Sequence, residues 1–293
     1  MIGVFDSGHG GLTVFRELVR RFSDHSFVYL GDHANVPYGD RPSDEVVELT
    51  RAGVEHLFER GARLVLLGCN TATAVAGRTL QQNWLPNSRW AGSHNVIGIV
   101  APTVEAATQT AWGLTSPQYP QKYNSDTIAI FGTTRTIASD VYAEEISKRC
   151  PRVTVVQQAC SGLVGAIEQA APDKDLEAHV AAGVAALLAQ TDGRPPHHAI
   201  LGCTHFPLIE HLFRAHLPDF TRILSQPNIV ADSLEDYLAR HPEYLEQGEA
   251  ADCSCAEDRQ VAAMLLSTGN IEQVNRTAQI LWPQAPMFHR LGE

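Results

Sequence analysis

The chain has 293 residues, with 33 acidic against 22 basic side chains and a formal charge of −11. This length exceeds the usual single-domain size of roughly 100–150 residues, so two domains sharing one cleft are expected. The acidic balance argues against a nucleic-acid-binding surface, which would concentrate Lys and Arg, but leaves small anionic substrates open, because local donors hold those.

An apolar run begins at once, over 2–5, with no basic leader and no apolar signal core, so a cytoplasmic location is expected. No apolar stretch approaches the roughly 18 residues of a membrane span, so no membrane partner is expected. Apolar runs then alternate with helical patterns, which reads as an α/β fold with mainly parallel sheets and flanking helices. The first run leads into Asp6-Ser7-Gly8-His9-Gly10-Gly11 and a helix over about 12–21. A strand over 26–30, an irregular loop holding Val36-Pro37-Tyr38-Gly39 and a helix from 43 to about 60 follow. The strand 63–67 ends at a first thiol loop, Leu67-Gly68-Cys69-Asn70-Thr71. The polar stretch 83–95 reads as a domain crossing, and 96–100 as a strand opening the second domain. After an irregular insertion over 113–126, the strand 127–131 ends at Gly132-Thr133-Thr134-Arg135-Thr136. Helices then end near 149, span 163–171 with Glu168, and span 176–188; a strand over 153–157 lies among them. The strand 198–201 ends at a second thiol loop, Leu201-Gly202-Cys203-Thr204-His205. These pieces suggest an internal duplication: two similar domains, 1–95 plus 209–293 and 96–208, with the active site in the cleft between them.

Cys69 and Cys203 each stand just past the carboxyl end of an apolar strand, where open α/β sheets hold their ligands. A free Cys is ordinarily a small buried hydrophobe. Both of these are followed by side chains that an apolar core would not choose: Asn70, Thr71 and Thr73 after one, Thr204 and His205 after the other. Such a pair suits a site that faces one small molecule from both sides. Chemistry that needs equivalent acid/base groups on opposite faces of a carbon is inversion of configuration. One thiol must be deprotonated as base while the other stays protonated as acid, so Asp6, Glu168 and His205 are candidates to accept or orient the proton. Ser7, Thr71, Thr133, Thr136 and Thr204 would offer neutral donors to carboxylate oxygens, beside helix N-terminal amides.

Other signals are weaker. Gly8-x-Gly10-Gly11 does not meet the dinucleotide pattern Gly-x-Gly-x-x-Gly, so no nucleotide is expected. The six cysteines, at 69, 150, 160, 203, 253 and 255, show no disulfide-framework spacing and read as free thiols. Cys253-x-Cys255 and Cys203-x-His205 miss the usual zinc spacing, so no metal is expected. Cys150, Cys160, Cys253 and Cys255 are given no role.

Five motifs together, in order and at sensible spacing, resemble glutamate racemase: Asp6-Ser7-Gly8-x-Gly10-Gly11-Leu12, Val36-Pro37-Tyr38-Gly39, Cys69-Asn70-Thr71-Ala72, Gly132-Thr133-x-x-Thr136 and Leu201-Gly202-Cys203-Thr204-His205-x-Pro207. The resemblance runs from Gly3 to about Leu212 and continues through Asp232-Ser233 and Ser267-Thr268-Gly269. It implies a racemase of the aspartate/glutamate superfamily that needs no cofactor, with a small-molecule substrate, L- or D-glutamate, whose D form feeds peptidoglycan synthesis. By the same resemblance Cys69 removes the α-proton of D-glutamate and Cys203 that of L-glutamate, with Asp6, His205 and Glu168 assisting. Ser7, Pro37, Tyr38, Gly39, Asn70, Thr71, Thr133, Thr136 and Thr204 fall on its substrate-contacting motifs. A homodimer is compatible with the sequence but is not specified by it.

Departures leave alternatives open. His9 stands where that family usually has a small aliphatic residue, which supports a relative acting on aspartate or another acidic compound. The lead-in to Glu168, Ala159-Cys160-Ser161-Gly162-Leu163-Val164-Gly165, lacks the usual prolines. The insertion 113–126 and the polar stretch 245–258 are atypical and suit a lid or a subunit contact. A catalytically inactive binding or regulatory relative is the non-enzymatic reading, and the intact cysteine pair argues against it. A thiol hydrolase would leave the second cysteine without a task.

Overall fold

Runs such as Ile2–Asp6, Phe27–Gly31 and Leu64–Leu67 are buried at every position, the pattern of parallel strands covered on both faces. They occur in a computed structural model that describes residues 1–121, 126–244 and 263–292. In chain order the first elements are β1 (Ile2–Asp6), α1 (Leu12–Arg21), β2 (Phe27–Gly31), α2 (Ser43–Glu59), β3 (Leu64–Leu67), α3 (Asn70–Thr79), β4 (Asn95–Gly98) and α4 (Val100–Thr108). The middle of the chain forms β5 (Thr127–Gly132), α5 (Thr134–Ala138), α6 (Val141–Arg149), β6 (Thr154–Ala159), α7 (Leu163–Glu168), α8 (Asp173–Ala189), β7 (His198–Gly202), α9 (Glu210–His216) and β8 (Arg222–Leu224). Then come α10 (Gln226–Arg240), β9 (Ala263–Ser267), α11 (Ile271–Leu281) and β10 (Phe288–Arg290).

The strands form two sheets, ordered β10-β9-β2-β1-β3-β4 and β6-β5-β7-β8, and every pairing is parallel. Alternation along each strand feeds a core on each face. Ile2 and Val4 pack with Leu12, Phe15 and Leu18 of α1, while Phe5 packs with Val54, Leu57 and Phe58 of α2. In the second sheet Ala129 and Phe131 pack with Val180 and Val184 of α8, and Ile128 and Ile130 with Tyr142 and Ile146 of α6. The two sheets share one topological device. The chain passes from β1 to β2 on one side and then from β2 across to β3 on the other, and β5, β6 and β7 are related in the same way. The crevice at the carboxyl ends of β1 and β3, and its counterpart at β5 and β7, are where such sheets bind ligands.

The fold class is as expected, but two strands fall on unexpected sides. The strand read as opening the second domain is β4, the edge of the first sheet, with Leu64–Leu67 as its partner. The polar stretch before it is no crossing: the Trp84 and Trp90 rings pack on Phe58 of α2, which keeps the chain on the first domain. The chain also returns later than residue 209. β8 pairs with β7 in the second sheet, and α10 is the first element to pack again on α1. Three residues with one buried position give no readable apolar run, so only the ladder with β7 defines this strand. Before the insertion, the Arg149 guanidinium lies 4.4 Å over the Trp112 ring and donates to the Trp112 carbonyl at 2.6 Å. Part of the insertion, 122–125, and the whole polar stretch 245–258 with Cys253 and Cys255 lie outside the described residues.

Candidate active site

β1 delivers Asp6 and Ser7 to the cleft, and β3 delivers Cys69. Gly11 lets the turn fold back, since a Cβ there would lie 2.8 Å from that of Asp6. Asp6 is buried; its Oδ1 accepts the Gly8 N–H at 2.6 Å, and its Oδ2 is buried with no hydrogen-bond partner. Burial, opposed by the Gly8 N–H and His205, raises its carboxyl to about 6. Cys69 caps α3, with Sγ accepting the Ala72 N–H at 3.4 Å and lying 3.4 Å from Ser7 Oγ. Burial and then the neighbouring Asp6 push this thiol up to about 12, against the bonds from Ser7 and Ala72.

The opposite wall is built differently. Cys203 follows β7, and its Sγ lies 3.8 Å from His205 Nδ1. His205 Nε2–H donates to Glu168 Oε1 at 2.9 Å, from the last residue of α7. Burial alone would lower His205; contacts with Cys203 and Glu168 outweigh it and raise the imidazole to about 10. Burial likewise opposes ionisation of Glu168, yet bonds from His205 and His9 hold it well below the usual carboxylate range. His205 and Glu168 therefore form an ion pair behind Cys203. The walls meet tightly: a Cβ at Gly10 would lie 2.5 Å from both His205 Nδ1 and Thr204 Oγ1, and Thr13 Oγ1 donates to the Thr204 carbonyl at 2.8 Å.

A cavity of about 420 Å³ lies between the walls, lined by both thiols and by Asp6, Ser7, Pro37, Tyr38, Gly39, Asn70, Thr71, Thr133, Glu168, Thr204 and His205. This size suits a small organic ligand. Thr136, also expected at the site, stays behind the wall: its hydroxyl is 3.2 Å from Thr71 Oγ1 and 3.0 Å from Thr133 Oγ1, in a triangle closed by Thr71–Thr133 at 3.0 Å. Asn70 lines the cavity, but its carboxamide is taken. Nδ2 donates to Gln226 Oε1 at 2.6 Å, and Oδ1 accepts from Tyr142 Oη at 2.7 Å and Gln226 Nε2 at 3.1 Å. Gln226 Nε2 also reaches Thr103 Oγ1 at 2.9 Å. What remains to a ligand at Asn70 is backbone N–H at the start of α3.

Cys160, Ser161 and Gly162, after β6, also line the cavity. Burial pushes the Cys160 thiol up to about 12. Position at a strand's carboxyl end was the available signal for this loop, but Cys160 is followed by a single polar residue, Ser161, and then by Gly162 and Leu163. His9 lies outside the lining residues, beside Glu168, so its side chain does not itself touch the cavity. Among the described residues no group of three or more His, Cys, Asp or Glu side chains is disposed to hold a metal ion.

A sequence profile of the Asp/Glu/Hydantoin racemase family matches residues 2–229. The chain belongs to that family. Its relatives within the family include the glutamate racemase of Phenylobacterium zucineum, 49% identical over 83% of this chain and 87% of that protein. The glutamate racemase of Jannaschia sp. is 43% identical over 99% of both chains. Among solved structures, a glutamate racemase isoform of Bacillus anthracis aligns over 99% of this chain and 96% of its own, with a TM-score of 0.80 and 26% identity. The alignment with this racemase structure extends beyond residue 229, where the family profile ends.

Proposed function

We propose that the protein interconverts L- and D-glutamate by moving a proton across Cα between Cys69 and Cys203. One observation carries this reading: two thiols, on walls from different domains, line one cavity, and each has its own proton-handling partners. With L-glutamate, Cys203 takes the α-proton while Cys69 donates its own to the opposite face. With D-glutamate the roles exchange. The Cys69 thiol, pushed up to about 12, holds its proton until the carbanion forms, and the His205–Glu168 pair orients and balances charge at Cys203. Backbone N–H groups at the start of α3, with the hydroxyls of Ser7, Thr71, Thr133 and Thr204, hold the substrate's carboxylates. Pro37, Tyr38 and Gly39 shape the wall, and Thr136 orients the Thr71 and Thr133 hydroxyls. Tyr38 is itself fixed by donating to Asp32 Oδ2 at 2.7 Å.

The reaction calls for no cofactor, because acid and base are both side chains. A pyridoxal group would need a lysine for its Schiff base, and none is among the described lining residues. Among the described residues no helix is long and apolar enough to cross a membrane. We place the protein in the cytoplasm, acting on a small molecule, with D-glutamate supplying peptidoglycan synthesis as the resemblance implies. A homodimer is checked by light scattering of the purified chain.

The test is incubation of the purified protein with L-glutamate or L-aspartate in deuterium oxide without pyridoxal phosphate. Loss of optical rotation with deuterium entering Cα of glutamate alone is the expected result. Exchange only with aspartate, or none, overturns the assignment.

A further inference from the structure

His9 sits in the turn between β1 and α1, 6% exposed and outside the cavity wall. Its imidazole reaches the second domain: Nδ1 is 3.4 Å from Glu168 Oε1, the same oxygen that accepts the His205 Nε2–H. On its other side Nε2 is 3.0 Å from the carbonyl of Val274 in α11. A carbonyl only accepts, so Nε2 carries a hydrogen and donates it there, and Nδ1 holds the Glu168 carboxylate when it carries a hydrogen as well, as in the imidazolium. The His33 ring packs against His9 at 4.1 Å between centroids, and Phe288 stands edge-on at 6.2 Å. His33 is fixed in turn, with Nδ1 3.0 Å from the Gly31 carbonyl and 2.9 Å from Ser267 Oγ. Packing on two sides and a backbone tether hold His9 in one orientation.

Glu168 has no such frame of its own. It ends a helix of six residues, and its side chain is 26% exposed towards the cavity. Among the described residues its carboxylate contacts are His205 and His9. One of these is the group it must orient, so only His9 anchors the carboxylate to a part of the molecule that does not take part in proton transfer.

We propose that His9 is a positioning residue for the Cys203 half of the reaction, holding Glu168 so that His205 presents Nδ1 to the thiol. The inference rests on the two-thiol reading above. Without His9 the carboxylate turns towards the cavity mouth, His205 loses its fixed ring angle, and proton transfer at Cys203 slows. Transfer at Cys69, served by Ser7 and Asp6, is affected less, because His9 touches neither of them. A purely structural role would disturb both faces alike.

The two variants are His9→Leu, which keeps bulk without donors, and His9→Gln, whose carboxamide N–H can still donate to Glu168 Oε1. Both are assayed in both directions with ordinary and α-deuterated glutamate. His9→Leu is expected to lower kcat/KM about tenfold. The primary isotope effect should rise with α-deuterated L-glutamate, whose label moves to Cys203, and fall with α-deuterated D-glutamate, whose label moves to Cys69. His9→Gln should restore most of the rate and the original isotope effects. The assignment is overturned if His9→Leu leaves turnover unchanged, lowers it with no opposed change in the two isotope effects, or is matched in its defect by His9→Gln. If the unmodified protein releases no label to solvent, the two-thiol reading falls and this assignment with it. If it releases label and only the asymmetry is missing, the His9 assignment falls alone.

Discussion

The two thiol loops are nearly the same words in sequence, yet they sit in opposite electrostatic surroundings. Around Cys69 stand a hydroxyl and a buried carboxyl with one bare oxygen, and the proton stays on sulfur. Around Cys203 stand an imidazole raised to about 10, and so protonated at neutral pH, and the carboxylate that pairs with it. The Cys69 half-site thus keeps a protonated thiol, whereas the Cys203 half-site has a buried ion pair beside its sulfur. Thermodynamics limits what this asymmetry does. The enantiomers have equal energy in water, so kcat/KM must be equal in the two directions at every pH. Unequal half-sites therefore appear only in kcat and KM taken separately.

The largest effect should come from removing either sulfur. Cys69→Ser and Cys203→Ser are each expected to lower racemisation about 10³-fold or more, with far-ultraviolet circular dichroism unchanged. Near-original turnover in either one would strip the comparison of chemical meaning. Next in size is Glu168→Gln, expected to cost about 10²-fold. Loss of the ion-pair partner leaves burial to dominate, so the His205 midpoint should move down from about 10, which carbon-13 resonances of the ring would follow. A His205 midpoint that stays in place would show that the second half-site does not depend on its carboxylate.

Asp6→Asn should have the smallest effect on rate, about tenfold, and sharpens the contrast from the other side. It should abolish an acid limb near pH 6 in kcat/KM. Stability gives a second reading. A carboxyl raised from 3.8 to about 6 binds its proton more tightly in the folded state, so stability falls as pH rises through that window. Asp6 should contribute up to about 3 kcal/mol of this fall between pH 4 and pH 7, and Asp6→Asn should lack that part of the slope in denaturant titrations.

Much of this molecule was legible because parallel strands buried on both faces are continuous apolar runs, as in Leu64–Leu67 and His198–Gly202. Polar residues placed straight after them marked the cavity walls. Tertiary facts were not legible. Which sheet β4 and β8 join is not written in either strand's own residues, and only their ladders decide it. Asn70 and Gln226 are 156 residues apart, so nothing near Asn70 reveals that its carboxamide is already engaged. Thr136 follows Thr133 in one motif, but helical geometry turns it behind the wall. His9 shares the turn that carries Asp6 and Ser7, and nothing in the sequence gives the direction of its side chain. Its side chain leaves on the far side of Glu168.

The carboxamides of Asn70 and Gln226, with the hydroxyls of Tyr142 and Thr103, tie together four distant stretches of chain in a dry region. Pulling that knot open would strand several donors and acceptors away from water, at roughly 1–3 kcal/mol apiece. Any opening of the cleft that leaves these bonds intact therefore costs less than one that breaks them.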